Sequence, residues 1–241
     1  MSDFILFSPF HLISIFLIGL VVIFSFWIGL RFPQKIKSIQ IFYGCLMLGT
    51  LVLFYHFHLS RGIFDIGRHL PLHLCSISAY LAMLMCFRPP RQLFWMLYFW
   101  GLLAAIITLI IPDMGREDGL ASFRFFEIMM TQGLIVVIIG LFLPIYFGTL
   151  KLKYLIVTQV LLVLFSLVIG LLINPAVGGN YLYLAQKPSG GQMNFSPQSN
   201  PLFALSLASL VLAIIAIQHL ITRLLVGWFR LRQLANTPNK F

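Results

Sequence analysis

Seven apolar stretches of roughly 18–23 residues run through this chain, each long enough to cross a hydrocarbon core about 30 Å thick. They lie near 10–31, 39–58, 70–87, 93–111, 125–147, 153–173 and 201–221. Lipid offers the backbone no hydrogen-bond partner, so a helix that satisfies its own amides is the expected form of each stretch. The expected fold is therefore all-α: a polytopic membrane protein built as a bundle of seven transmembrane helices. No piece between the stretches exceeds about 27 residues, too short for a core of its own, so residues 1–241 read as a single transmembrane domain. The first stretch does not read as a cleaved signal, because it lacks a basic leader and ends at Trp27, Arg31 and Phe32 rather than at small residues.

Charge sorts the joins between stretches into two sides. The joins after the first, third and fifth stretches, with the tail, hold Arg31, Lys35, Lys37, Arg88, Arg91, Lys151, Lys153, Arg223, Arg230, Arg232 and Lys240, and no acid. All six acids, Asp3, Asp65, Asp113, Glu117, Asp118 and Glu127, fall on the other side. Basic loops stay in the cytoplasm, which sets the N-terminus outside and the C-terminus inside. The expected location is the cell membrane, crossed many times.

Hydrophobic residues make up 60% of the chain and charged ones 9%, which excludes an ordinary soluble domain. The net charge of +10 is scattered over short loops and forms no dense stripe, so nucleic acid is not the expected partner. The cations instead favour anionic headgroups, and membrane phospholipid is the expected partner. Gly178-Gly179 and Gly190-Gly191 precede no Lys-Ser/Thr, so no nucleotide site is readable and no cofactor is expected.

Polar residues inside a bilayer are costly and mark function by default. The first, fourth and sixth stretches are nearly bare, and the midplane reads as apolar. The exceptions gather at outer ends. His56 and His58 close the second stretch, Arg61, Asp65 and Arg68 lie in the loop, and His69, His73, Cys75 and Ser76 open the third. Arg124, Glu127 and Gln132 open the fifth. The external loop, 174–200, is the longest polar piece, and Asn180 and Tyr181 within it suit a segment folded over an outer pocket. Asn194-Phe195-Ser196 is a glycosylation sequon by pattern alone.

Cys75 is the one thiol with polar company, since Cys45 and Cys86 sit inside apolar stretches. A cation such as Arg68, or an imidazolium, would favour its thiolate and so a nucleophile. The bland alternative is a small buried thiol at a helix contact. Pro71 suits the first turn of a helix over 70–87. At 100° per residue that helix sets His73 nearly opposite Cys75, so His56 or His58 is the expected base unless the helix is distorted near Pro71. His69 and His73 have the i, i+4 spacing of a metal pair, but no further ligand clearly completes a set and no metal is expected. Arg124 and Glu127, three apart, read as an ion pair or as part of a cationic collar for a lipid phosphate, with Arg68 as a second anchor.

His11, the segment Leu70-Pro71-Leu72-His73-Leu74-Cys75-Ser76-Ile77, Pro112-Asp113 followed by Phe123-Arg124-Phe125-Phe126-Glu127, and Gly179-Asn180-Tyr181-Leu182-Tyr183-Leu184 with Lys187-Pro188 occur together and in order. In this the chain resembles the YwaF family of bacterial integral membrane proteins over nearly its whole length. The resemblance implies a compact bundle, and a eukaryotic branch similar to it is linked to cysteine-dependent acyl transfer onto ether phospholipids. The cysteine of the motif maps onto Cys75. Where the family usually has His-Gly in the fifth span, this chain has Gln132-Gly133, and glutamine takes no proton at neutral pH.

The expected function is that of a lipid acyltransferase or acyl hydrolase of the outer leaflet. Cys75 is its nucleophile; His73, His56 and His58 are the candidate bases. Arg68, Arg124, Glu127, Gln132, Asn180 and Tyr181 contact the substrate. The rival expectation is a transporter or small-molecule receptor using the same polar pocket, against which the apolar midplane and the lack of a repeat count.

Overall fold

The computed structural model describes residues 5–112, 114, 123–149, 151–184, 209, 212–224 and 227, and every regular element among them is helical. In chain order these are α1 (Pro9–Arg31), α2 (Lys37–Ser60), α3 (Ile66–His69), α4 (Leu74–Phe87), α5 (Arg91–Ile110), α6 (Phe123–Thr149), α7 (Leu152–Val177) and α8 (Leu212–Leu224). Five of them, α1, α2, α5, α6 and α7, are long and apolar enough to cross a membrane. The third expected stretch appears as the shorter α4, and the described part of the seventh holds α8. The 14 residues of α4 reach about 21 Å, less than a hydrocarbon core. Most of 201–211 lies outside the described residues, as do Asp3, Asp113, Glu117, Asp118, Lys187 and the Asn194 sequon.

Helix starts follow local chemistry. Ser8 caps α1 by accepting from the His11 amide at 3.4 Å, with Pro9 in the first turn. Asp65 caps α3 by accepting from the Gly67 amide at 2.8 Å.

The bundle is organised around α6. Its apolar window is 72% buried, against 50% for α5 and 17% for each of α1, α2 and α7. Ile135, Ile138 and Phe142 of α6 pack with Ala79, Ala82 and Met85 of α4 and with Phe94, Trp95 and Phe99 of α5. Outer helices turn large apolar side chains outward, among them Phe16, Leu53, Leu164 and Leu171. Lipid solvates such surfaces, so close packing rather than water exclusion must hold the helices together. Gly29 shows how close: a Cβ there would meet the Leu141 carbonyl oxygen at 2.2 Å. Any larger residue would pry α1 from α6.

Two spans are interrupted by π turns, Leu97–Gly101 in α5 and Ile169–Ile173 in α7. The first is fixed from outside. The Gln218 side-chain amide donates to the Tyr98 carbonyl at 2.9 Å, and the Tyr98 hydroxyl meets Thr222 Oγ1 at 2.8 Å. These bonds pin α8 against α5. The second π turn leads into Asn174, buried and bonded to Tyr181 of the segment that follows.

Candidate functional site

The sequence reading of a regular helix from residue 70 is corrected by the structure. Leu70 (ψ 148°) and His73 (ψ 150°) are extended, and α4 begins only at Leu74. The cause is local: the ring of Pro71 disfavours helical geometry at the residue before it. Pro71 therefore lies between two helices and not in the first turn of one. Cys75 becomes the second residue of α4, where amides and helix dipole point toward it and favour negative charge. The opposition of His73 and Cys75 across one helix also lapses, because His73 is the residue that precedes α4. Cys75 is half-buried, with Sγ 4.0 Å from the Ser76 hydroxyl.

Over this break lies the segment that follows α7. Gly178 (φ 63°) ends α7 in the left-handed region, where glycine pays no Cβ penalty. Leu182 (φ 56°) and Tyr183 (φ 55°) adopt the same region without that freedom, so surrounding contacts must hold them there. Asn174 supplies one set. Its Oδ1 accepts from the Tyr181 amide at 2.8 Å, and its Nδ2 donates to the Tyr181 carbonyl at 3.0 Å. Tyr181 is fully buried. Its hydroxyl accepts from the Leu70 amide at 2.9 Å and donates to the Ile66 carbonyl. Burial pushes that hydroxyl's pKa up, so it stays a donor. The His73 ring packs on Tyr181 at 5.2 Å and on Tyr183 at 5.3 Å. The Asn180 carbonyl accepts from the Tyr183 amide at 3.1 Å. The expected contact between this loop and the mouth of the third stretch is thus present, through Tyr181.

The histidines at the end of α2 part company. His56 is exposed, while His58, two residues on, is buried. His58 Nδ1 donates to the Phe54 carbonyl at 2.8 Å, and its ring lies 4.4 Å from that of His69. His69 Nδ1 accepts from the Asp65 amide at 2.8 Å, which puts its proton on Nε2 when neutral. Burial first, then the neighbouring His58, lowers the His69 pKa below the ordinary imidazole value. Among the described residues no three His, Cys, Asp or Glu side chains gather to hold a metal ion.

The two expected anchors differ. Arg68 stands 82% exposed with Nε 3.4 Å from Asp65 Oδ2. Arg124 is half-buried and bonds Glu127 at 2.9 Å, and Glu127 is only 13% exposed, with Thr131 Oγ1 3.5 Å away. Gln132 is buried with its Oε1 unpaired.

Buried polar groups also lie on α5 and α8. His219 of α8 is buried, and among the described residues both its ring nitrogens, the buried Gln218 Oε1 and Trp100 Nε1 have no hydrogen-bond partner. Gln218-His219 in an otherwise apolar stretch was the signal for this cluster, by the rule that polar residues in a membrane mark function. Asn174 carried no such signal, because it reads as the first residue of a loop.

The model of the TMEM164 family matches residues 6–218 of the chain. No curated protein and no solved structure matches it.

Proposed function

Because the chain belongs to the TMEM164 family, a multispanning membrane family, we propose that it is a lipid acyltransferase or acyl hydrolase working through Cys75. Within that family we place it near the YwaF members that its Pro-Leu-His-Leu-Cys and Asn-Tyr-x-Tyr-Leu segments resemble. In this reading α4 and α8 complete seven spans in the cell membrane, and the N-terminus and the Cys75 mouth face outward, as the eleven acid-free cations argue.

The observation that carries the proposal is the position of Cys75. It is a partly buried thiol in the first turn of α4, directly after the extended connection Leu70–His73 that separates α3 from α4. The thiolate attacks the carbonyl carbon of an acyl ester, a sulfur–carbon bond forms, and the ester carbon–oxygen bond breaks. His73 takes the thiol proton and returns it to the departing alcohol. A second hydroxyl, from a lysophospholipid or water, then attacks the thioester and gives its proton to His73; the sulfur–carbon bond breaks, and His73 passes the proton to the departing thiolate. Arg124 holds the phosphate in bidentate fashion, and Arg68 adds charge at the outer rim. Gln132, which cannot be the base, offers its unpaired Oε1 to the incoming hydroxyl.

The transporter or receptor reading draws support from one feature, the unpaired buried groups of Gln132, Gln218 and His219 along with interrupted helices. One experiment separates the two. Purified protein in phospholipid vesicles is supplied with a labelled lysophospholipid and compared with its Cys75→Ala variant. Formation of labelled diacyl product by the parent alone supports the enzyme. Uptake or binding of label that survives in Cys75→Ala, with no product, supports the rival.

A further inference from the structure

Ile66 and Leu70 stand four apart, the spacing at which a helix joins the carbonyl of one residue to the amide of the other. The preceding rung of α3 is made in that way, His69 N–H to the Asp65 carbonyl at 2.8 Å. The following rung is forbidden, because residue 71 is proline and has no N–H. The rung between them is intercepted. The Tyr181 hydroxyl, reaching in from the external segment, accepts from the Leu70 amide at 2.9 Å and donates to the Ile66 carbonyl. Insertion of a side chain into the i→i+4 ladder is one of the few recognised causes of a sharp helix break.

We infer that Tyr181 is a positioning residue for Cys75, a wedge that holds α3 and α4 apart and so keeps the thiol at a helix N-terminus. The inference rests on the Cys75 reading above. Four observations support it. Both hydrogen-bonding directions of the Tyr181 hydroxyl are taken by backbone atoms, so the group is structural toward the break. The ring packs on His73, the residue that precedes α4. Asn174 grips the Tyr181 peptide on both its amide and its carbonyl, which aims the side chain. Gly179 fits the same corner, since a Cβ there would meet the Gly67 carbonyl oxygen at 2.9 Å. Withdrawing the hydroxyl lets Leu70 N–H close directly on the Ile66 carbonyl. The Leu70–His73 connection and the first turn of α4 must then shift.

The test reads the thiol itself and needs no turnover. Full-length protein in vesicles is treated with iodoacetamide across a pH series, and alkylation of Cys75 is followed by mass spectrometry of its peptide. Tyr181→Phe removes the hydroxyl and keeps the ring. The expected result is alkylation about tenfold slower at pH 7 and a rate profile displaced toward higher pH, the size of a lost helix-terminus field. Asn174→Ala should move the profile in the same direction, and Asn174→Asp, which keeps the acceptor for the Tyr181 amide, should restore most of it. Unchanged profiles in folded Tyr181→Phe overturn the inference; if that variant does not fold, an unchanged profile in Asn174→Ala does so. Failure of the enzyme reading looks different, as lipid product formed without Cys75.

Discussion

Asn174 and Tyr181 are joined by two hydrogen bonds, Oδ1 to the Tyr181 amide at 2.8 Å and Nδ2 to the Tyr181 carbonyl at 3.0 Å. One buried side chain at the end of α7 thereby takes the place of a turn's own backbone pairing. It fixes a segment that otherwise carries two non-glycine residues at positive φ.

Replacing Asn174 by Ala leaves a buried amide and carbonyl unpaired, a loss of about 1–3 kcal/mol. Thermal unfolding in detergent should show a clearly lowered midpoint for Asn174→Ala. A midpoint equal to the parent's would mean that the segment is held by other contacts.

The two arginine–acid pairs, Arg68–Asp65 and Arg124–Glu127, should differ in worth. Arg124→Ala leaves Glu127, which is 13% exposed, without its cation, and should cost about 2–3 kcal/mol. Arg68→Ala breaks a pair whose members are 82% and 51% exposed, and should cost less than about 0.5 kcal/mol. Unfolding midpoints of the two variants, measured side by side, check the order.

His69 predicts a pH dependence. Its folded pKa is lowered by burial, so the folded state binds fewer protons than the unfolded chain near the ordinary imidazole value. The stability it contributes is complete above pH of about 6.5 and falls as pH drops through that value. Stability measured from pH 8 to pH 5 should decline on the acid side, and His69→Gln should flatten the decline. A decline that is the same in both proteins assigns it elsewhere.

The sequence made much of this legible, and the failures have identifiable causes. Length and hydropathy located α1, α2, α5, α6 and α7, because one long apolar run in lipid has a single low-cost form. The Arg124–Glu127 pair followed from i, i+3 spacing, and the docking of Tyr181 from the need of a loop's polar groups for partners. The break at Leu70–His73 entered only as an alternative to a regular helix. Pro71 is equally at home in a first turn, and the residue that intercepts the ladder lies about 110 positions away in sequence. The π turn at Leu97–Gly101 was hidden for the same reason, since it answers to Gln218 and Thr222 on another helix. Helical periodicity is local, and these features are set by distant side chains.

Orientation has its own test. In a Cys75→Ser background, a cysteine placed at Ile63, exposed in the loop after α2, should react with an impermeant thiol reagent on intact cells. One placed at Lys35 should react only after the membrane is opened. The opposite pattern would invert the topology and move the Cys75 mouth to the cytoplasmic leaflet.

The most direct measurement is trapping of the acyl-enzyme. Protein incubated in phospholipid vesicles is quenched in acid, digested and weighed by mass spectrometry. The expected result is a fatty-acyl mass on the peptide containing Cys75, released by neutral hydroxylamine as a thioester is, and missing from Cys75→Ala. Acyl transfer that proceeds undiminished in Cys75→Ala, or a parent protein that turns over lipid with no acyl mass on Cys75, would contradict the nucleophile.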